Sequence, residues 1–128
     1  AVSAGRAVVG VETSSDAVAA ARASLATMPD AGSVEFVVGD ATTTTPAGAP
    51  DLVVVNPPRR GIGPQLAAWL DTSPTRHVVY SSCNVVTLAR DLAAMPSLRA
   101  VTGRVFDMFP QTRHTEVMVL LERGAGAP

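Results

Sequence analysis

The strongest constraint on the fold of this chain is its alternation of short β-branched runs, each closed by a polar residue, with amphipathic stretches. Ala7 to Val11 (AVVGV) is continuously apolar and ends on Glu12, the pattern of a strand buried on both faces. Thr13-Ser14-Ser15-Asp16 supplies N-cap chemistry for a helix from about Asp16 to Thr27. In it Val18, Ala21, Arg22 and Leu25 recur at helical spacing, and Pro29 stops it. Val34 to Val38 reads as a second strand ending in Gly39-Asp40, and the low-complexity run from Thr42 to Pro50 reads as a loop. Leu52 to Val55 is a third strand, ending in Asn56-Pro57-Pro58. A helix from about Pro64 to Asp71 follows, with proline in its first turn. His77 to Ser81 is a fourth strand and Val85 to Ala94 the helix after it. The tail changes character: Leu98 to Phe106 and Glu116 to Glu122 read as two strands with no helix between them.

Strands separated by helices imply right-handed crossovers and a parallel sheet covered on both faces, here with an antiparallel hairpin at one edge. In such α/β sheets ligands bind beyond the carboxyl ends of the strands. The polar residues closing the strands are Glu12, Asp40, Asn56 and Ser82-Cys83-Asn84, so all are expected along one rim. The 128 residues suit one domain, with 47% hydrophobic and 16% charged residues excluding a disordered chain. Ten basic and eleven acidic residues leave a net charge of −1, and every basic residue is Arg. That balance lacks the basic surplus of most nucleic-acid-binding domains. If RNA is the substrate, this segment supplies chemistry while another supplies most phosphate contacts. One cysteine excludes an internal disulfide and fits a reducing, cytoplasmic setting. No apolar run reaches the roughly 18 residues of a membrane helix, and no charged-then-apolar leader opens the chain.

Each rim residue suggests a chemistry and also has a plain structural explanation. Glu12 could accept two hydrogen bonds from a ribose diol, or simply favour the helix dipole behind it. Asp40 could accept from an adenine amino group, or close a loop. Two prolines after Asn56 fix its amide at the rim, where it can donate and accept at the edge of a planar base. Arg59 or Arg60 could contact a phosphate, or form a solvated basic pair. Cys83 lies between a strand and a helix, where the helix N-terminus favours thiolate character; buried filler is the ordinary alternative. Glu116 opens an otherwise apolar strand (VMVLL), so it should be partly buried and able to act as a base, or else be an edge-strand charge. His114 suits a loop-ordering hydrogen bond better than catalysis.

Together these residues resemble the bacterial RNA uridine-5-methyltransferase family. NPPRRG at Asn56 to Gly61 followed by VVYSSCNVVT at Val78 to Thr87 matches its central signature, and FDMFPQTRHTE at Phe106 to Glu116 matches the signature carrying its catalytic base. The resemblance runs from about Gly5 to Arg123, and the DMFP form is closer to the ribosomal RNA members than to the transfer RNA members. It implies a Rossmann-like α/β class I methyltransferase fold, with S-adenosylmethionine as cofactor, RNA as partner and no metal. By resemblance the Cys83 thiolate adds to uracil C6, C5 attacks the methyl carbon of the sulfonium, and Glu116 removes the C5 proton so that elimination releases Cys83. Asn56 matches a position at the uracil edge and is expected on the cofactor side as well. Arg59 is the candidate RNA contact, while Glu12 and Asp40 match positions on the cofactor's ribose and adenine sides.

Two departures from the family pattern carry expectations. Thr115 stands where the family usually has an apolar or aromatic residue. The glycine-rich strand and turn that cradles the cofactor, which in the family precedes the strand at Ala7 to Val11, is absent from these residues. The chain is therefore expected to be the C-terminal part of the catalytic domain, binding S-adenosylmethionine weakly and having little activity in isolation. The family places the missing strand between Ala7–Val11 and Leu52–Val55, so these two should either pair directly or have the gap filled by another chain, as in a homo-oligomer. An amino-group methyltransferase acting on adenine or cytosine is the enzymatic alternative. Those enzymes usually place an aromatic residue after Asn-Pro-Pro, where this chain has Arg59, and they need no cysteine. A non-catalytic binding or dimerisation module is the alternative from another class. A nicotinamide-dependent oxidoreductase is disfavoured by the lack of a glycine fingerprint.

Overall fold

The computed structural model describes residues 6–28, 32–44, 48–108, 111 and 115–124. The chain divides into two compact units, residues 1–46 and 47–128.

The first unit holds β1 (Ala7–Glu12), α1 (Ser15–Ala26) and β2 (Ser33–Val38), with the two strands parallel. Ser14 caps α1, its hydroxyl accepting from the amide of Ala17 at 3.2 Å, and Asp16 sits in the first turn, where the helix dipole favours an acid. Val18 is the buried residue of the helix. Arg22 ties helix to sheet, donating to the carbonyl of Phe36. Gly10 pairs with Phe36, and a Cβ at Gly10 would stand 2.8 Å from the Phe36 ring, so its lack of a side chain admits the ring.

The second unit holds β3 (Leu52–Val55), α2 (Gly63–Thr72), β4 (His77–Ser82), α3 (Val85–Ala93), β5 (Leu98–Phe106) and β6 (Glu116–Arg123). Its sheet runs β3-β4-β6-β5, with β3 and β4 parallel and β6 antiparallel to both β4 and β5. Alternation along β4 and β6 sends Val78, Tyr80, Val119 and Leu121 to one face. There they bury with Leu66, Ala67 and Leu70 of α2 and Leu88 of α3. Arg123 closes the base, its guanidinium donating to the carbonyls of Leu70, Asp71 and Thr75 and so capping the C-terminal end of α2. The opposite face carries Val79, Ser81, Met118 and Leu120; a shallow depression of about 200 Å³ there is lined by Val79, Thr102, Gly103, Arg104, Met118 and Leu120.

The predicted elements all form, within a residue or two of their expected ends, and the C-terminal pair is an antiparallel hairpin at one edge. Within the second unit both helices lie on the same face of its sheet. The reason is that the apolar residues of both helices converge on a single stripe, Val78, Tyr80, Val119 and Leu121. One expectation needs correction: direct pairing of the strands at Ala7–Val11 and Leu52–Val55 does not form, since β1 pairs with β2 and β3 pairs with β4. Each keeps an outer edge, with Leu52 50% and Val54 66% exposed. Among the described residues no helix is long and apolar enough to cross a membrane.

Candidate active site

Strand register builds the site of the second unit. The last β4–β6 pair is Ser82 with Val117. Cys83 is the first residue of the bend after β4, and Glu116, the residue before Val117, is the first residue of β6. The β3–β4 ladder ends with Val55 beside Tyr80, so Asn56 leaves the sheet next to Ser81. By alternation Ser81 and Glu116 fall on the face away from α2 and α3, while Asn56 and Cys83 directly follow the ends of β3 and β4. The candidate nucleophile, base and base-reading amide therefore share one rim.

The bend that carries Cys83 is shaped from both sides. Ser82 is buried, its hydroxyl accepting from the amide of Asn84 at 3.1 Å and donating to the Asn84 carbonyl at 3.0 Å. Asn84 caps α3, its Oδ1 accepting from the amides of Val86 and Thr87. Cys83 itself is half-buried. Glu116 is half-buried as well, and its Oε1 accepts a 2.5 Å hydrogen bond from the Ser81 hydroxyl. Ser81 carries no sequence signal of its own. Only its even spacing from Cys83 along the strand could have pointed to it.

Asn56 and Arg59 are exposed in the loop after β3, and α3 holds that loop in place. Asn84 donates from Nδ2 to the carbonyl of Arg59, and Arg90 donates to the carbonyl of Arg60 at 2.6 Å. Asp91, only 4% exposed, accepts at Oδ2 from the amide of Ile62 at 2.9 Å and from the Tyr80 hydroxyl at 2.7 Å. Burial first, then that hydrogen bond, raises the Tyr80 phenol beyond its usual range and keeps it a donor. Gly61 has φ +88, and a Cβ there would run into the Asp91 carboxylate, so glycine is required twice over.

In the first unit Glu12 and Asp40 also share a rim, since β1 and β2 are parallel and the amide of Gly39 donates to the carbonyl of Glu12. Glu12 is exposed, with Oε1 accepting from the amide of Ser14 and the hydroxyl of Thr13, both at 3.0 Å. The Ser14 amide above all, then the Thr13 hydroxyl, holds this carboxyl below the ordinary glutamate value. Asp40 is turned largely to local structure: its Oδ1 accepts from the amide and hydroxyl of Thr42, and its carbonyl from the amides of Thr43 and Thr44. His114 lies outside the described residues. No group of three or more potential metal ligands occurs among the described residues.

Comparison with known proteins gives a consistent picture. The model of the family described as tRNA (Uracil-5-)-methyltransferase matches residues 49–124. A 23S rRNA (uracil(747)-C(5))-methyltransferase of Pectobacterium atrosepticum is 45% identical over 116 residues, covering 89% of this chain and 31% of that protein. The protein of the same name from Halothiobacillus neapolitanus is 45% identical over 123 residues, covering 91% of this chain and 32% of its own length. The chain thus spans about a third of these relatives. The crystal structure of Pyrococcus abyssi tRNA (uracil-54, C5)-methyltransferase in complex with S-adenosyl-L-homocysteine superposes with a TM-score of 0.80 at 32% identity, over 91% of this chain and 29% of that one. More distant methyltransferase structures share the fold, including an N-methyltransferase from Bradyrhizobium japonicum at TM-score 0.68 and 11% identity. With its Asn-Pro-Pro loop, its Ser-Cys-Asn bend and the strand opened by Glu116 all inside the matched residues, the chain belongs to the tRNA (uracil-5-)-methyltransferase family.

Proposed function

We propose that the protein carrying this chain methylates C5 of uridine in RNA, with 23S ribosomal RNA as substrate and S-adenosylmethionine as methyl donor, in the cytoplasm. The observation that carries the reading is that Cys83 directly follows β4 where Glu116 opens the antiparallel β6, with Asn56 at the end of the adjacent β3. The relatives named above act on uracil C5 in RNA, and one was crystallised with the demethylated cofactor product.

Uracil C5 is a weak nucleophile until a group adds at C6. In this reading the Cys83 thiolate forms the S–C6 bond, and the C5=C6 electron pair moves toward the C4 carbonyl to give an enolate. When bound, S-adenosylmethionine supplies an electrophilic methyl group. Once C5 carries the methyl group, the Glu116 carboxylate takes the C5 proton. The electrons of that C–H bond restore C5=C6, and the S–C6 bond breaks to return the thiolate. Asn56, whose amide both donates and accepts, reads the uracil edge and also faces the cofactor; exposed Arg59 contacts the RNA backbone. Glu12 fits the ribose of the cofactor, being exposed, ionised and oriented by Ser14 and Thr13. Asp40 is assigned to the adenine side, with one carboxylate oxygen shared with Thr42. Because the chain carries a net charge of −1, most phosphate contacts belong to other parts of the protein.

The test is trapping of the complete protein with 5-fluorouridine RNA and S-adenosylmethionine, read on a denaturing gel. Fluorine at C5 cannot leave as a proton, so the reading predicts a stable protein–RNA adduct that Cys83→Ala abolishes. Methylation of RNA with no adduct would instead favour the amino-group alternative, which requires no addition at C6.

A further inference from the structure

We infer that Ser81 is the positioning residue for the Glu116 carboxylate, fixing one of its oxygens so that the other meets the C5 proton. The inference rests on the assignment of Glu116 as the base. Ser81 is 8% exposed and lies in β4, two residues before Cys83. It pairs with Met118, while Glu116 sits diagonally opposite, beyond the last ladder pair. A serine hydroxyl is short, and it reaches the Glu116 Oε1 at 2.5 Å because the two Cβ atoms are diagonal neighbours across the sheet. A glutamate at the start of a strand has three rotatable side-chain bonds, and holding it in one rotamer costs entropy. The hydroxyl offsets that cost with a charge-assisted hydrogen bond. It also decides which oxygen is committed: Oε1 to Ser81, leaving Oε2 to take the proton.

Position 81 therefore acts late in the cycle. Addition of Cys83 at C6 and methylation of C5 need no base, whereas removal of the C5 proton and release of Cys83 do. Loss of the Ser81 hydroxyl should leave the early steps intact and slow the last one.

The experiment uses the complete protein, unmodified uridine-containing RNA and S-adenosylmethionine, with steady-state kinetics and a denaturing gel run in parallel. Ser81→Ala is expected to lower kcat roughly 10–100-fold with little change in the KM for RNA, the scale of loss from a misplaced catalytic group. It should also accumulate a methylated, covalent protein–RNA species that the unsubstituted protein shows only faintly. Ser81→Thr, which keeps a hydroxyl and suits a strand, should restore turnover and remove the accumulation. Glu116→Gln is the reference and should accumulate the same species. If it does and Ser81→Ala behaves like the unsubstituted protein, the inference alone falls. Loss of activity in Ser81→Ala without the covalent species, or unrescued by Ser81→Thr, also overturns it, since that is the mark of a merely structural role. If Glu116→Gln itself accumulates nothing, the base assignment falls and takes the inference with it.

Discussion

Asp91 shows how much a buried residue of α3 does for the loop that follows β3. Its carboxylate satisfies the amide of Ile62 and the hydroxyl of Tyr80, and pairs with Arg90, whose side chain is 61% exposed. Asp91→Ala should therefore cost about 1–3 kcal/mol for each buried donor left unpaired. Arg90→Ala should cost less than about 1 kcal/mol from the exposed ion pair. Denaturant unfolding of the two variants checks the order, and equal losses would contradict it. Glu12 gives a second residue-scale expectation. Its carboxyl is held below the ordinary value of about 4.5, so the contribution of the ionised form is fully present above that value. It is lost only as pH falls through the lowered one. Cofactor affinity measured by calorimetric titration of the complete protein should thus show no protonation of Glu12 anywhere near neutrality. Glu12→Gln should weaken it at every pH in that range. A Glu12-dependent fall in affinity between neutral pH and the ordinary glutamate value would oppose this.

The elements were legible because their signals are local. Ser14 lies in the run expected to cap the first helix, and it does so; prolines and glycines marked the ends of strands. The function of Tyr80 was not legible, since a tyrosine in an apolar strand reads only as core. In the structure its hydroxyl joins β4 to α3 through Asp91, next to the Ile62 amide. Its phenol is raised by burial, so this stability is fully present below the unfolded tyrosine value of about 10 and is lost as pH rises through the folded one. Thermal unfolding of the complete protein should accordingly show an alkaline decline that Tyr80→Phe reduces. An unchanged alkaline profile in that variant would count against the assignment. Helix–sheet packing carries the larger share of the stability: Leu121, with no exposed surface, should cost about 2–5 kcal/mol when truncated to alanine.

At the scale of the whole molecule, the second unit exposes β3 as an edge strand, with Leu52 and Val54 half or more in solvent. A bare apolar edge is a template for further pairing. Expressed alone, the 128-residue chain should self-associate with rising concentration in light scattering. Val54→Lys should suppress that association, and a strictly monomeric segment at all concentrations would show the edge to be harmless. By itself the sequence determined the elements, their order, the cap of the first helix and the set of polar residues at the strand ends, because hydrophobic period, capping and turn chemistry act over a few residues. Only the tertiary structure decided that β1 pairs with β2 and β3 with β4, that α2 and α3 share one face, and that Ser81 meets Glu116. Those outcomes depend on the register between strands distant in the chain, and register is set by which side chains can pack together rather than by any one segment's own preference.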